Sequence, residues 1–147
     1  MKKTILAMAM MLMAGLTIAF AKDDERVNKE IKSSFNRDFV SAKDVSWNVQ
    51  KDFIKATFKM NSQVMFAFYD ETGSLLATAR NIPSEQLPIS LFSKMKKDYS
   101  DYWISELFEM DRDGQTSYYI TLENADETLI LKSTGFDEWS TYKRSRK

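Results

Sequence analysis

The sequence reads VNKEIKSSFNRDF at residues 27–39 and LPISLFSKMKKDY at residues 87–99. Both stretches carry an apolar residue at every fourth position, a spacing that lines one face of an amphipathic helix. The stripe consists of Val27, Ile31, Phe35 and Phe39 in the first copy and of Leu87, Leu91, Met95 and Tyr99 in the second. A repeat 60 residues apart indicates two copies of one supersecondary unit.

Apolar and polar residues alternate after each helix, as is typical of β-strands. The predicted strands span residues 45–49, 53–60, 64–68, 74–81, 103–110, 116–123, 127–132 and 138–143. The connections within each copy are short, and the strongest hairpin signal is Asp70-Glu71-Thr72-Gly73, because Gly73 tolerates a positive φ. Such connections suit antiparallel hairpins and are too short for crossover helices. We therefore predict an α+β fold of two tandem helix-plus-four-strand units.

A linker separates the two units. The segment Ile82-Pro83-Ser84 interrupts the alternation, and Pro88 suits the first turn of the second helix. We assign residues 22–82 to the first unit and residues 83–147 to the second, and we expect the two to form one compact domain.

Residues 1–21 have the features of a secretory signal peptide. A positively charged start precedes an uncharged stretch over residues 4–18, and Ala19-Phe20-Ala21 matches a signal-peptidase site. Cleavage is expected between Ala21 and Lys22. The mature protein is therefore predicted to be exported, to the periplasm or outside the cell.

The composition argues against several classes of function. The chain has no His and no Cys, so it lacks the most common general base, thiolate nucleophiles and the usual zinc ligands. The predicted signal peptide carries two lysines and no acid, so 21 basic and 21 acidic residues become 19 and 21, a net charge of about −2. That balance predicts no nucleic-acid partner, and no later apolar run approaches the ~20 residues of a membrane span. We predict no enzyme activity, no cofactor and no metal.

Two features could suggest other chemistry. Paired acids, either Glu106 with Glu109 or Asp111 with Asp113, could in principle serve a glycoside hydrolase, although solvation of strands and turns explains them more simply. The segment Asp111-Arg112-Asp113-Gly114 could suggest calcium, but a calcium site needs six to eight oxygen ligands. We interpret that segment as a hairpin turn.

A family resemblance follows from the order of two motifs. The strand start Asp44-Val45-Ser46-Trp47 precedes the hairpin segment VMFAFYDETGSL at residues 64–75, with its Tyr-Asp-x-x-Gly turn. This combination resembles the PepSY-like proteins, small exported bacterial proteins also described as beta-lactamase-inhibitor-like. The second copy departs from the pattern, because its turn reads Lys132-Ser133-Thr134-Gly135.

The resemblance implies helices packed on one face of an antiparallel sheet. It also implies an analogy with inhibitors that grip an enzyme with a concave sheet surface, although fold alone does not establish function. No motif in this chain carries specific inhibitory residues over from the family.

Alternation assigns the aromatic residues to two faces of the sheet. The predicted helix-covered core contains Val45, Trp47, Phe58, Phe66 and Phe68. The predicted opposite face carries Phe53, Tyr69, Tyr119 and Tyr142, interleaved with Lys55, Lys59 and Lys132. This face could bind a partner, or its cross-strand pairs could simply stabilise an exposed sheet.

Two functional hypotheses follow. The first is an exported, non-enzymatic, inhibitor-like module that binds a protein or peptide through its open sheet face. Its candidate contact residues are Phe53, Lys55, Tyr69, Tyr119 and Tyr142. The second is a structural or stress-related envelope protein that associates with itself. The basic segment at residues 143–147 is interpreted as a solvated end.

Overall fold

The structure is a computed structural model that describes residues 23–147. The predicted signal peptide and its cleavage site between Ala21 and Lys22 lie outside these residues. The described chain forms two compact units, of which the first ends at Leu76 and the second runs from Ala77 to Lys147.

The first unit begins with the helix predicted from the apolar stripe. A 3-10 turn over Asp23–Arg26 precedes helix α1, which spans Lys29–Asp38. Three strands follow, namely β1 (Lys43–Val49), β2 (Ile54–Met60) and β3 (Gln63–Tyr69). Strand β4 (Leu75–Asn81) crosses the boundary, because its first two residues belong to the first unit and the others to the second.

The second unit repeats this order of elements. A 3-10 turn over Ser84–Gln86 precedes helix α2, which spans Ile89–Asp98. Four strands follow, namely β5 (Trp103–Arg112), β6 (Gln115–Glu123), β7 (Glu127–Ser133) and β8 (Ser140–Arg146). The strands form an antiparallel sheet in the order β1-β2-β3-β4-β5-β6-β7-β8. The predicted α+β class is therefore confirmed.

Each helix packs its apolar stripe against one face of the strands in its own unit. At the start of α1 the side-chain oxygen of Asn28 accepts a hydrogen bond from the Ile31 N–H at 2.9 Å, which satisfies one of the unpaired donors of the first turn. Ile31 and Phe35 are buried in the core of the first unit, and Leu91 and Met95 are buried in the core of the second. The predicted helical stripes are thus confirmed.

The two faces of β3 are the reverse of those predicted. Tyr69 lies opposite Ile54 of β2, and both belong to the helix-covered core. Phe66 and Phe68 alternate with Tyr69 and therefore point to the other face, so their predicted place under the helix was wrong. The cause is the loop length. Asn61-Ser62, with φ values of 52° and 64°, forms a two-residue turn, whereas the predicted faces required three residues.

Strand β1 has an irregularity that removes Val45 from the core. Its register against β2 shifts around Asp44, whose φ is 53°. A bulge of this kind re-aims the neighbouring side chains, and Val45 is 39% exposed. The predicted core position of Val45 was therefore wrong, whereas Trp47 and Phe58 are buried under the helix as predicted.

The carboxyl-terminal segment is a strand. The backbone of β8 pairs with β7, although most of its side chains are exposed, so the interpretation of residues 143–147 as a solvated end was wrong for the backbone. Arg144 forms an ion pair with Glu127 at 3.4 Å, and Lys147 forms one with Glu123 at 2.9 Å. Basic side chains on an edge strand discourage pairing with another sheet.

Candidate functional site on the far face of the sheet

We define the far face of each unit as the side of its strands turned away from its own helix. In the first unit it is formed by alternate residues of β2, by the residues of β3 opposite them, and by the residue preceding β2. These residues are Phe53, Lys55, Thr57, Lys59, Val64, Phe66 and Phe68. The far face of the second unit carries Trp103, Glu106, Phe108, Tyr119, Ile130, Lys132 and Tyr142.

The predicted aromatic residues of the far face are mostly buried. Phe53 and Tyr119 lie on the predicted side of the strands, but each is only 3% exposed. The Phe53 ring packs edge-on to Phe68 with centroids 5.6 Å apart, and Tyr119 stacks on Phe108 at 5.0 Å. Tyr142 is half-buried and packs edge-on to Tyr119 at 5.9 Å. The expectation that Phe53 and Tyr119 are exposed was therefore wrong.

Tyr69 lies on the helix-covered side, so its predicted place on the far face was wrong. Its side chain is 0% exposed, and its hydroxyl donates a hydrogen bond to Asp38 Oδ2 at 3.2 Å. Burial, followed by the negative charge of Asp38, raises the pKa of Tyr69 well above its usual value. The phenol thus stays protonated and fixes the strand to the carboxyl end of α1.

The turn after Tyr69 is held by its own side chains. Asp70 Oδ1 accepts hydrogen bonds from the backbone N–H of Thr72 at 2.9 Å and of Ser74 at 3.0 Å. A further bond, from the Thr72 hydroxyl, is the main reason why the pKa of Asp70 lies below its usual value. Asn28 Nδ2 donates to the carbonyl of Glu71 at 3.2 Å, which ties the turn to the amino end of α1.

Gly73 allows this turn to approach the helix closely. Its φ is +86°, and a Cβ atom at this position would lie 3.3 Å from the backbone of Glu30 in α1. A larger residue would therefore meet both backbone strain and a tight contact. The Tyr-Asp-x-x-Gly motif that carried the family resemblance thus docks the first helix, and its role is structural.

Lys55 has the most unusual charge environment on the far face of the first unit. It is half-buried, and its Nζ lies 5.6 Å from the centroid of the Phe66 ring. Its cross-strand neighbours are Asn48 in β1 and Phe68 in β3, and neither carries a charge. Burial lowers the pKa of Lys55 from its usual value. Within residues 23–147, none of the ion pairs includes Lys55.

The far face of the second unit has two similar pairs of a lysine and an aromatic ring. Lys132 Nζ lies 5.3 Å from the Tyr119 ring, and Lys147 Nζ lies 5.0 Å from the Trp103 ring. Trp103 is 54% exposed, which is unusual for the largest apolar side chain. A lysine over an aromatic ring thus occurs on the far face of both units.

Trp103 also borders a cleft that sequence reasoning missed. The cleft has a volume of about 240 Å³ and lies between the end of α2 and the start of β5. Its walls include Tyr99, Tyr102 and Ile104, so it is mainly aromatic and apolar. The repeat contained a signal for this difference between the copies. Trp103 is a large aromatic residue at the position where the first copy has the charged residue Lys43.

The candidate pair Glu106 and Glu109 is divided between the two faces of the sheet. Glu106 lies on the far face opposite Thr121, whereas Glu109 lies opposite Tyr118 on the helix-covered side and forms an ion pair with Arg80 at 2.9 Å. Burial, and secondly the charge of Glu123, raises the pKa of Glu106.

The segment that could suggest a calcium site forms a turn in the structure. Asp113 and Gly114, with φ values of 53° and 75°, form the predicted hairpin turn between β5 and β6. Within residues 23–147, no group of three or more potential ligands is placed to hold a metal ion. Neither α1 nor α2 is long and apolar enough to cross a membrane.

Comparison with known proteins identifies the fold. Neither a family model nor a curated protein matches this chain. A DUF2874 family protein from Bacteroides uniformis ATCC 8492 is 12% identical, with a TM-score of 0.73 over 81% of this chain and 88% of that chain. A BLIP-like protein from Bacteroides fragilis NCTC 9343 is 13% identical, with a TM-score of 0.66 over 78% of this chain and 85% of that chain.

A third solved structure carries a description of location. It is a proposed periplasmic protein from Bacteroides eggerthii DSM 20697, which is 12% identical, with a TM-score of 0.73 over 82% of this chain and 88% of that chain. Identities this low establish a common fold alone. The BLIP-like fold implied by the resemblance is confirmed, and membership of the PepSY-like family stays a prediction.

Proposed function

We propose that this chain is an exported, non-enzymatic protein that binds another protein or a peptide on the far face of its sheet. The observation that carries the proposal is the pairing of a lysine with an aromatic ring, which occurs on the far face of both units. Aromatic rings supply a large and rigid contact area, and a cation beside them supplies a charge that orients the partner.

The buried and the exposed residues of this face have different roles in the proposal. Phe53 and Tyr119 are covered, so they hold the strands and the neighbouring rings in place rather than touch a partner. The contacts come instead from side chains that remain accessible. These are Lys55, Phe66, Trp103, Lys132 and Tyr142.

Several observations support export and a binding role. The predicted signal peptide and the periplasmic description of one structural neighbour support export. The BLIP-like description of another neighbour supports a protein as the partner. The lack of His and Cys in the sequence supports a function other than catalysis. Membership of the PepSY-like family forms part of the same proposal.

The proposal is tested by capturing partners from a periplasmic extract of the native host. Lys55→Ala/Lys132→Ala removes two charges from the far face, whereas Lys29→Ala/Lys97→Ala removes two charges from exposed helix positions. We expect the far-face variant to recover a partner at least about tenfold less efficiently than wild type, because each cation orients the bound protein. The helix variant should behave as wild type.

Equal recovery by both variants would contradict a binding role for the far face. The second hypothesis, a structural or stress-related envelope protein, has its own outcome. It would be favoured if no other protein is captured and if sedimentation velocity shows a self-association that the far-face variant alone abolishes.

A further inference from the structure

Lys55 is a lysine of the far face with few neighbouring groups that could balance its charge. It lies near the start of β2, between the neutral residues Asn48 and Phe68 of the adjacent strands, and its ammonium group rests over the Phe66 ring. A half-buried ammonium group has lost part of its hydration, and an aromatic ring replaces only part of that loss.

Another lysine of this face, Lys59, is already paired with an acid. Asp44 contacts Lys59 at 3.0 Å, and Lys59 faces Lys43 across the β1–β2 pair. Asp44 therefore neutralises Lys59 rather than Lys55. The far face of the first unit thus has a positive charge available for a partner of opposite charge.

We propose that Lys55 receives the carboxylate of an Asp or Glu side chain in the bound protein segment, an inference that rests on the function proposed above. A carboxylate placed against Lys55 Nζ would form a charge-assisted hydrogen bond and replace the water that burial has removed. The bound segment is therefore an acidic one, and its acid lies where the segment crosses the start of β2.

A carboxylate fits better than a phosphate group at this position. Phosphate is usually held by several donors at once, such as a guanidinium fork or a cluster of cations. Lys55 is a single point donor, and Lys59 is already engaged by Asp44. The lowered pKa of Lys55 agrees with this interpretation, since an anionic partner would raise that pKa toward its usual value.

The test uses defined peptides. Short random peptides displayed on phage are selected on the purified exported protein, and the affinity of each selected peptide is measured by calorimetry. Each peptide is then measured against wild type, Lys55→Gln and the control Lys29→Gln, which removes the same charge from the exposed side of α1. Each Asp or Glu of the peptide is also changed to its amide.

We expect the selected peptides to contain an essential acid. Lys55→Gln and the amide peptide should each weaken binding by about tenfold or more, and the two changes together should weaken it little further, because they remove the same contact. Lys29→Gln should leave the affinity unchanged. A circular dichroism spectrum equal to that of wild type shows that the Lys55→Gln variant is folded.

Three other outcomes would overturn the inference in different ways. If Trp103→Ala or Lys132→Ala weakens peptide binding and Lys55→Gln does not, the role of Lys55 is overturned and the proposed function stands. Tighter Lys55-dependent binding of the same peptide with phosphoserine in place of its acid would overturn the choice of carboxylate. If no far-face substitution changes the affinity of any selected peptide, the proposed function is overturned as well.

Discussion

The two units cover the same arrangement of strands with a helix, but they hold that helix by different contacts. In the first unit Tyr69 bonds to Asp38 at the carboxyl end of α1, and Asn28 bonds to Glu71 at its amino end. In the second unit the position of Tyr69 is taken by Ser133, which bonds within its own turn to the Gly135 carbonyl at 3.0 Å.

Helix α2 is held from a different place in the chain. Trp139, which follows the turn, donates its indole N–H to the carbonyl of Leu91 at 2.9 Å and packs against the core of the second unit. The comparison shows that the Tyr-Asp-x-x-Gly motif is one of two ways in which this chain docks a helix on a sheet. A copy without the motif therefore keeps the same elements.

The lysines of the far faces differ in how their charges are balanced. In the second unit Lys147 is paired with Glu123, so the charge beside Trp103 is balanced. In the first unit Lys55 has no such acid among the described ion pairs. Its ammonium group lies over the face of the Phe66 ring instead. Lys132 of the second unit is likewise outside the ion pairs found within residues 23–147, and it lies over the Tyr119 ring.

The largest expected effect concerns the motif of the first unit. Tyr69→Ala should lower the free energy of unfolding by about 3–5 kcal/mol, because it removes a fully buried ring and leaves a cavity under α1. Tyr69→Phe should cost only about 1 kcal/mol, since it removes the bond to Asp38 and keeps the ring. Both values are measured by urea denaturation. Equal losses in the two variants would show that the hydroxyl, rather than packing, anchors the helix.

A smaller effect is expected at Gly73, for which Gly114 is a matched control. Both residues have positive φ, at +86° and +75°, but only Gly73 has the backbone of Glu30 close to the position of a Cβ atom. Gly114→Ala should cost about 1 kcal/mol from backbone strain alone, and Gly73→Ala about 2 kcal/mol or more. Urea denaturation of the two variants gives the difference. Equal losses of unfolding free energy in the two variants would show that the close approach of Gly73 to α1 does not contribute to the cost.

The smallest effect is the pH dependence contributed by Lys55. Because burial lowers its folded-state pKa below 10.5, the unfolded chain binds more protons than the folded chain between the lowered pKa and 10.5. Stability contributed by this group therefore rises with pH across that window. Lys55→Met should be more stable than wild type at about pH 7, and this advantage should shrink toward about pH 10. A difference in unfolding free energy that stays constant with pH would contradict the burial of Lys55.

The elements of the fold were predictable because they depend on local spacing. The stripes ending at Phe35 and Met95 specified two helices, and short polar breaks specified antiparallel hairpins. The faces were harder to predict, because a side-chain period of two reverses with a change of one residue in a loop. The two-residue turn at Asn61-Ser62 therefore exchanged the predicted places of Phe68 and Tyr69.

The candidate site was predictable only in part for a related reason. Lys55 was placed on the correct face because β2 is regular, whereas the bulge at Asp44 moved Val45 away from the core. Burial of Phe53 and Tyr119 depends on packing with Phe68 and Phe108, which lie on other strands. Contacts between residues distant in sequence leave no periodic signal in the residues themselves.

The sequence by itself determined the repeat, the two amphipathic helices, the order of the strands and the poverty of catalytic groups, because all of these follow from residue type and local period. Only the tertiary structure decided that Tyr69 anchors a helix, that Phe53 and Tyr119 are buried, and that Lys55 lies outside the ion pairs of the described residues. The physical reason is that burial and charge balance are properties of neighbours in space, and strand register brings those neighbours together.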